Sequence, residues 1–507
     1  MITATPIGTR IDELASERPA APAVSCAERS LSRRDLAQLT NGLARKLEGM
    51  GVVTGDLVTI TLPTGVDFLA CAVALWKLGA TPQPVSHRLP PAELRAIVRL
   101  AQPRVVIGDI DVGSAVVSLT SAEVSEVVPD PDPLAPRIAP SWKAPTSGGS
   151  TGTPKLIVST RAGTAENVLA IARLVGISED TTALIPAPLY HNGPLQYSAT
   201  TLLAGGHVVL AERFDAEQTL ETIERRAVTW LYVVPTMMHR LLRLGDARLD
   251  HADLSSLRTL FHLAAPCPPW LKRAWIDRLG PGRVLELYGA TEGHAATLVN
   301  GEEWLRRPGT VGRPVVGEIQ ICDLEGTPLA AGEIGHVYAR ASGEPSYRYI
   351  GAQANAIPGG WETLGDIGWL DDEGYLFLCD RADDMILVGG ANVYPAEVEG
   401  ALESHPAVRS ACVVGVPDEE YGNIVWAIVD ASGDVSDDEL RAHLAELLAP
   451  YKRPRRFDRV TTPLRDDTGK MRRSARRAEL LARLGGTGEP PVSPPAIASE
   501  RSAQRAR

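Results

Sequence analysis

Cysteine is scarce and never paired. Cys26, Cys71, Cys267, Cys322, Cys379 and Cys412 are scattered, with no Cys-x-x-Cys and no Cys/His cluster at zinc spacing. This excludes a disulfide scaffold and a structural zinc site, and suits small core residues in a reducing compartment. Positive charge is also in deficit: 51 Lys and Arg stand against 62 Asp and Glu, a net charge of −11. That disfavours nucleic acid or an anionic membrane surface as a partner, although local charge can still hold an anionic ligand. The longest apolar run, around residues 68–76, is far too short to span a bilayer, and MITATPIGTRIDEL lacks a basic start followed by an apolar segment. A cytoplasmic protein with no membrane span is the expectation. The composition, 44% apolar and 22% charged over 507 residues, is that of a globular chain of two or more domains.

The densest chemistry lies in TSGGSTGTPK at 146–155. Glycines let the backbone approach an anion, hydroxyls add donors, and Lys155 adds a mobile positive charge. The stretch reads as a phosphate grip or as a flexible Gly/Ser connection. A Walker A loop is disfavoured, because Thr153 and Pro154 separate Gly152 from Lys155.

Around this stretch strand and helix alternate. SRRDLAQLTNGLARKLEGMG opens with a Ser-x-x-Asp cap and places Leu36, Leu39, Leu43 and Leu47 on one helical face. Strands are expected at 57–62, 83–85 and 104–108, and helices at 66–78, 91–100 and 164–175. The pattern predicts α/β architecture with largely parallel sheets. VLELYGATEG at 284–293 runs from a strand into a turn carrying Tyr288, Gly289, Thr291 and Glu292, a place for base stacking and a cation or simply a capped helix start. Residues 309–380 alternate in short runs between Gly and Asp turns and predict an antiparallel β subdomain. It ends in LGDIG and DRADD, with Asp366, Arg381, Asp383 and Asp384, able to bind ribose hydroxyls or to form a solvated turn. From Met385 a Gly389–Gly390 turn, a helix opened by Pro395, two strands and a capped helix from Ser436 predict a compact α+β domain. Beyond Leu484 the Pro/Gly/Ser-rich sequence predicts a disordered tail.

Four stretches in this order, TSGGSTGTPK, YGATE, GDIGWLDDEGYLFLCDRADDMI and TGK at 468–470, together resemble the adenylate-forming superfamily. The likeness is to its acyl-CoA synthetase branch, similar to fatty-acid and bile-acid CoA ligases, and extends over about residues 30–480. It implies an N-terminal adenylation domain over 1–382, a small mobile C-terminal domain over 383–484 and a tail over 485–507. It further implies ATP, Mg²⁺ and CoA as cofactors, a small carboxylic acid as substrate, and leaves a homodimer open. By position, Thr146, Ser147, Ser150, Thr151 and Lys155 would contact phosphates, Tyr288 would flank adenine, and Thr291 the α-phosphate. Glu292 would hold Mg²⁺, and Asp366 and Arg381 would bind ribose. Asp383 would be the hinge, Lys470 the adenylation lysine, and Gly389 and Gly390 would pass the pantetheine arm. His191 would stand beside the acid carboxylate, with Gly193, Met237, Ala264, Ala265 and Gly289 around a roomy apolar pocket for a bulky hydrophobic acid. Leu156 and the LRDDTGKMRR context of Lys470 depart from the common pattern, as does Asn392 where relatives often carry Arg. A carrier-protein acyl-AMP ligase and a non-catalytic adenylate-binding protein are the alternatives.

Overall fold

The computed structural model describes residues 4–111, 116–148, 154–433, 435–465 and 469–484. The expected tail from 485 onward lies outside the described residues. Among these residues six parallel strands form the backbone of the large domain, in the order Val284–Gly289, Thr259–His262, Trp230–Val233, Thr182–Ile185, His207–Leu210 and Pro22–Cys26. A second parallel sheet contains Leu57–Ile60, Thr81–Pro84, Val105–Ile107 and Val117–Leu119. Between them lies the helix Val66–Lys77, apolar on every side and accordingly buried. Its one cation, Lys77, is neutralised by Asp12 at 2.6 Å and also donates to the Asn41 amide oxygen, as a buried ammonium requires.

The expected antiparallel subdomain is present but is not a separate sheet. At residues 290–293 the chain reverses, Gly293 taking φ +71°, so Ala296–Asn300 pairs antiparallel with the last parallel strand. Thr310–Val316, Leu376–Arg381, Trp361–Leu370, Gly335–Arg340 and Glu318–Cys322 extend the same sheet outward. Two local expectations shift. The strand expected at 83–85 starts at Thr81, and only Ala165–Leu169 is regular helix in 164–175. The rest tightens into turns, with Ala172 N–H bonding the Leu169 carbonyl at 2.9 Å and Leu174 N–H that of Ile171 at 3.1 Å.

The smaller C-terminal domain packs Pro395–Glu403 and Asp437–Leu447 against the strands Val408–Asp418, Gly422–Ala431 and Arg456–Val460. Ile386, Val393, Val398, Leu402, Val413, Leu440 and Leu444 fill its core. The Ser436 cap and its Glu439 partner form the expected capping box. A buried ion cluster ties the domain together: Arg473 meets Glu399 at 2.9 Å and also Asp384, while Arg465 meets Glu403 at 3.2 Å.

Where the large domain passes into the small one, Asp380 accepts a bond from Ala396 N–H at 2.7 Å, at the start of the helix Pro395–Glu403. Burial pushes its carboxyl up from 3.8 to about 6, against the pull of Arg473 and two backbone N–H groups. The folded chain therefore holds this proton more tightly than the unfolded chain. Its contribution to stability is full below the unfolded value and lost as pH rises through about 6. In urea denaturation from about pH 4 to 7, Asp380→Asn should remove a loss on the order of 1–3 kcal/mol. Parallel curves for the two proteins would contradict the assignment.

Candidate functional site

Site residues collect at the carboxyl ends of the parallel strands, the crevice where open α/β sheets hold ligands. His191 follows Thr182–Ile185, Thr236 follows Trp230–Val233, Ala264 and Ala265 follow Thr259–His262, and Glu292 follows Val284–Gly289. A three-stranded antiparallel sheet overhangs this edge: Thr146–Gly148, Pro154–Ser159 and Tyr347–Ile350. It places Ser147 opposite Lys155 and Thr146 opposite Leu156. Gln83 of the second sheet donates to the Thr146 hydroxyl at 3.2 Å. Ser150 and Thr151 lie outside the described residues.

Lys155 and Glu292 come together here, joined by a residue the sequence reading did not single out. Lys155 Nζ donates to the Tyr349 hydroxyl at 2.9 Å and lies 4.0 Å from that ring's centroid. The hydroxyl donates to Glu292 Oε1 at 2.6 Å, and the ammonium is itself 3.6 Å from the same oxygen. Ser346, three residues earlier, donates to the Glu292 main-chain carbonyl at 2.7 Å. One segment thus fixes Glu292 by backbone and side chain. Burial first, then the bond to Glu292, pushes the Tyr349 hydroxyl up, so it stays a donor at neutral pH. Behind it Tyr347 donates to Glu362, which His294 Nε2 also meets at 2.8 Å. The sequence signal was the alternation YRY at 347–349, a strand with two tyrosines on one face.

A second group lies on the antiparallel side. Asp366 stands opposite Arg381 in the register of adjacent strands. Arg381 Nε is 2.9 Å from Asp366 Oδ1, and the Tyr288 hydroxyl donates to Oδ2. Burial raises the Asp366 carboxyl, opposed by Arg381 and Tyr288. The three expected nucleoside residues therefore form one bonded cluster. Thr291 lies in the turn with Glu292, and Gly289 ends the strand before it.

On the other flank, His191 stands at the N-cap position of the helix Asn192–Ala204, with no side-chain cap bond, and its ring lies 4.5 Å from that of Tyr190. The expected roomy pocket is not what surrounds Gly193. A Cβ there would lie 2.6 Å from the Tyr232 hydroxyl. Tyr232, Tyr197 and Phe261 form a buried aromatic wall, Tyr197 meeting Phe261 edge-on at 4.8 Å. Met237 is buried in the main core. Ala264 takes φ +76°, a left-handed conformation that costs a non-glycine residue about 1–3 kcal/mol and is typical of functional edges. A second unanticipated residue, Lys143, reaches the same helix, donating to Asn192 Oδ1 and to Gln196 Oε1 at 2.8 Å. Burial pushes its ammonium down to about 7.

From the C-terminal domain, Gly469 presses against the mouth of the crevice. At φ +76°, a Cβ there would lie 2.9 Å from Thr236 Oγ1, and exposed Lys470 follows it. Thr468 lies outside the described residues. Gly389 and Gly390 form the turn between Ile386–Val388 and Ala391–Val393, where Gly389 N–H bonds the Tyr421 carbonyl at 2.8 Å. Asp383 lies in the short 3₁₀ helix Ala382–Asp384, between the two cores. Among the described residues no three His, Cys, Asp or Glu side chains converge as a metal cage. A cation at Glu292 would therefore complete its shell with ligand oxygens and water, which suits Mg²⁺ on a polyphosphate.

The AMP-binding enzyme family matches residues 11–343, and the AMP-binding enzyme C-terminal domain matches residues 397–470. Feruloyl-CoA synthase of Amycolatopsis sp is 32% identical over 457 residues, 86% of this chain and 91% of that protein. The fatty acid–[acyl-carrier-protein] ligase ScoC of Streptomyces coeruleorubidus is 29% identical over 503 residues, 93% and 95% of the two chains. Among solved structures, o-succinylbenzoate CoA synthetase of Bacillus subtilis with its acyl-adenylate intermediate superimposes with a TM-score of 0.82 at 25% identity, covering 97% of this chain and all of that one.

The Tyr349 hydroxyl is a neutral donor to a largely buried carboxylate. Tyr349→Phe removes it while keeping the ring beneath Lys155, and should lower the free energy of unfolding in urea by about 1–2 kcal/mol. A variant of unchanged stability would show that the hydroxyl does not hold Glu292.

Proposed function

The chain belongs to the family of AMP-binding enzymes, and from that premise we propose that it is an acid–CoA ligase acting on a compact hydrophobic acid through the residues just described. It adenylates a carboxylic acid with ATP and converts the acyl-AMP to a thioester. The observation that carries the assignment of residues is the meeting of Lys155 and Glu292 through Tyr349 at the strand-end crevice. A cation and a carboxylate that neutralise each other in the free chain are the groups a triphosphate and its divalent cation would draw apart.

In the first step a carboxylate oxygen of the acid attacks the α-phosphorus of ATP. The new bond joins that carboxylate oxygen to phosphorus, and the bond from the α-phosphorus to the α–β bridging oxygen breaks with its electron pair leaving on pyrophosphate. Two anions must approach, so cationic groups have to offset the charge on the phosphoryl oxygens. Lys155, with Thr146 and Ser147 on the same hairpin, serves the β- and γ-phosphates, and Thr291 the α-phosphate. Lys470, carried in by the loop packed on Thr236, meets the oxygens shared by the α-phosphate and the incoming carboxylate. Glu292, together with phosphate oxygens, would hold Mg²⁺, which would supply further charge neutralisation when bound. Asp366 accepts bonds from the ribose hydroxyls, and Arg381 keeps its carboxylate charged and aimed. Tyr288 stacks against adenine.

His191, at the first turn of the helix Asn192–Ala204, stands on the acid's side, where the helix N-terminus also favours a carboxylate. The acid's body lies beside Gly193, Gly289, Ala264 and Ala265, over the aromatic wall of Tyr232 and Tyr197. That wall supports a compact, preferably planar acid over a long chain. In the second step the thiol of CoA, as thiolate, attacks the acyl carbon and AMP leaves with the electron pair of the C–O bond. Asp383 is the hinge for the domain rotation between the steps, after which Gly389 and Gly390 line the path of the pantetheine arm. The similarity to ScoC keeps a carrier-protein thiol as the second acceptor to be tested.

The purified chain incubated with ATP, Mg²⁺, CoA and a mixed library of aromatic and aliphatic acids should yield an acyl-CoA mass from a compact hydrophobic member. Acyl-AMP accumulating without thioester, and discharged by a holo carrier protein, would transfer the activity to the alternative acceptor. Neither product from any acid would contradict the proposed reaction.

A further inference from the structure

The two domains meet along a seam where donors of the large domain reach acceptors of the small one. Arg243 caps the helix Pro235–Leu242. Its Nη1 donates to the Val408 carbonyl at 3.0 Å and the Pro406 carbonyl at 3.4 Å, and its Nη2 meets Ser432 Oγ at 3.3 Å. Trp270, in the first turn of Pro269–Leu279, donates its indole N–H to the Gly400 carbonyl at 3.1 Å. A Cβ at Gly400 would come within 3.6 Å of Pro268. His239 joins the two donors, its ring edge-on to Trp270 at 5.1 Å. The helix that ends at Arg243 begins at Pro235, one residue before the Thr236 against which Gly469 packs. One rigid helix therefore carries at one end the surface that receives the Lys470 loop, and at the other a guanidinium gripping the small domain.

The acceptors are chiefly main-chain carbonyls of a folded domain, so the fork of donors on Arg243 matches only one orientation of that domain. A rotation about residues 382–384 would break all of these bonds together. The seam is polar and leaves Arg243 exposed, the character of an interdomain contact made and released rather than permanent. Burial first, and then Arg409, lower the pKa of Arg243, opposed by Asp430, which is itself paired with Arg409.

We propose that Arg243, with Trp270 beside it, is the latch that holds the C-terminal domain where Lys470 faces the crevice, so that it serves adenylation and not thioester formation. It is a positioning residue, acting through the Lys470 loop, and the inference rests on the two-step reaction proposed above.

The test uses the full chain as wild type, Arg243→Ala, Arg243→Lys and Trp270→Ala. Each is assayed for acid-dependent ATP–pyrophosphate exchange and for thioester formation from chemically prepared acyl-AMP and CoA. Arg243→Ala should lose on the order of tenfold in exchange, with thioester formation unchanged or faster. Arg243→Lys should recover only part, because an ammonium cannot reproduce the fork. A general loss of folding would depress both half-reactions, so equal slowing of both, or no change in either, would overturn the latch.

A second readout needs no substrate. Trypsin cleavage after Arg381, at the domain junction, should be several-fold faster in Arg243→Ala and Trp270→Ala than in wild type, and an unchanged rate would overturn the latch. If wild type made no adenylate from any acid, the proposed reaction would fall, and the cleavage rate alone would decide the latch.

Discussion

An ammonium and a carboxylate set 3.6 Å apart at the edge of a sheet, with a tyrosine hydroxyl between them, are the constraint on which the site depends. Both Lys155 and Glu292 are mostly withdrawn from water, and a half-buried charge without a partner costs several kcal/mol. Their mutual neutralisation lets the site proposed for a polyanion and a divalent cation exist in the free chain. Three separate parts of the fold must be in place for it: the hairpin of Lys155, the strand-end turn of Glu292 and the strand of Tyr349. In the proposed reaction the phosphates and Mg²⁺ replace each partner for the other, so binding exchanges one neutral arrangement for another and creates no bare charge.

The same economy governs the second domain. Lys470 is exposed and directly follows Gly469, so its position is set by what its domain rests on. Gly469 fits against Thr236 only because it lacks a Cβ, and the seam at Arg243 and Trp270 lies on helices that begin at this same crevice. In the proposed reaction the large domain thus builds the anion site from its own strands and borrows one further cation by docking. A single crevice can then serve adenylation and a later thiol step without holding both sets of groups at once.

Much of this was legible in the sequence, for local reasons. The Ser32 and Ser436 caps, the buried helix Val66–Lys77 and the strand-to-turn passage through Tyr288 and Glu292 are written in spacing and residue type. Asp366 and Arg381 were legible as a pair because they flank one antiparallel turn and pair across it. The partners that come from far along the chain were not. Tyr349 reaches Lys155 across 194 residues and Lys143 reaches Asn192 across 49, distances over which no periodicity carries information. The small residues Gly193, Ala264 and Ala265 suggested open space, but in the fold the gap at Gly193 is taken by Tyr232. A small residue leaves room without saying what will fill it. The β subdomain was legible as strands, but its continuity with the parallel sheet follows from a single reversal at residues 290–293.

The proposed bond is between an oxygen of the acid and the α-phosphorus of ATP in this crevice. It is tested most directly by following isotope from an acid carboxylate labelled with oxygen-18 through one round of thioester formation. One labelled oxygen should appear in the AMP released and none in pyrophosphate. Unlabelled AMP, or label appearing in inorganic phosphate beside ADP, would contradict it and require a different activation of the acid.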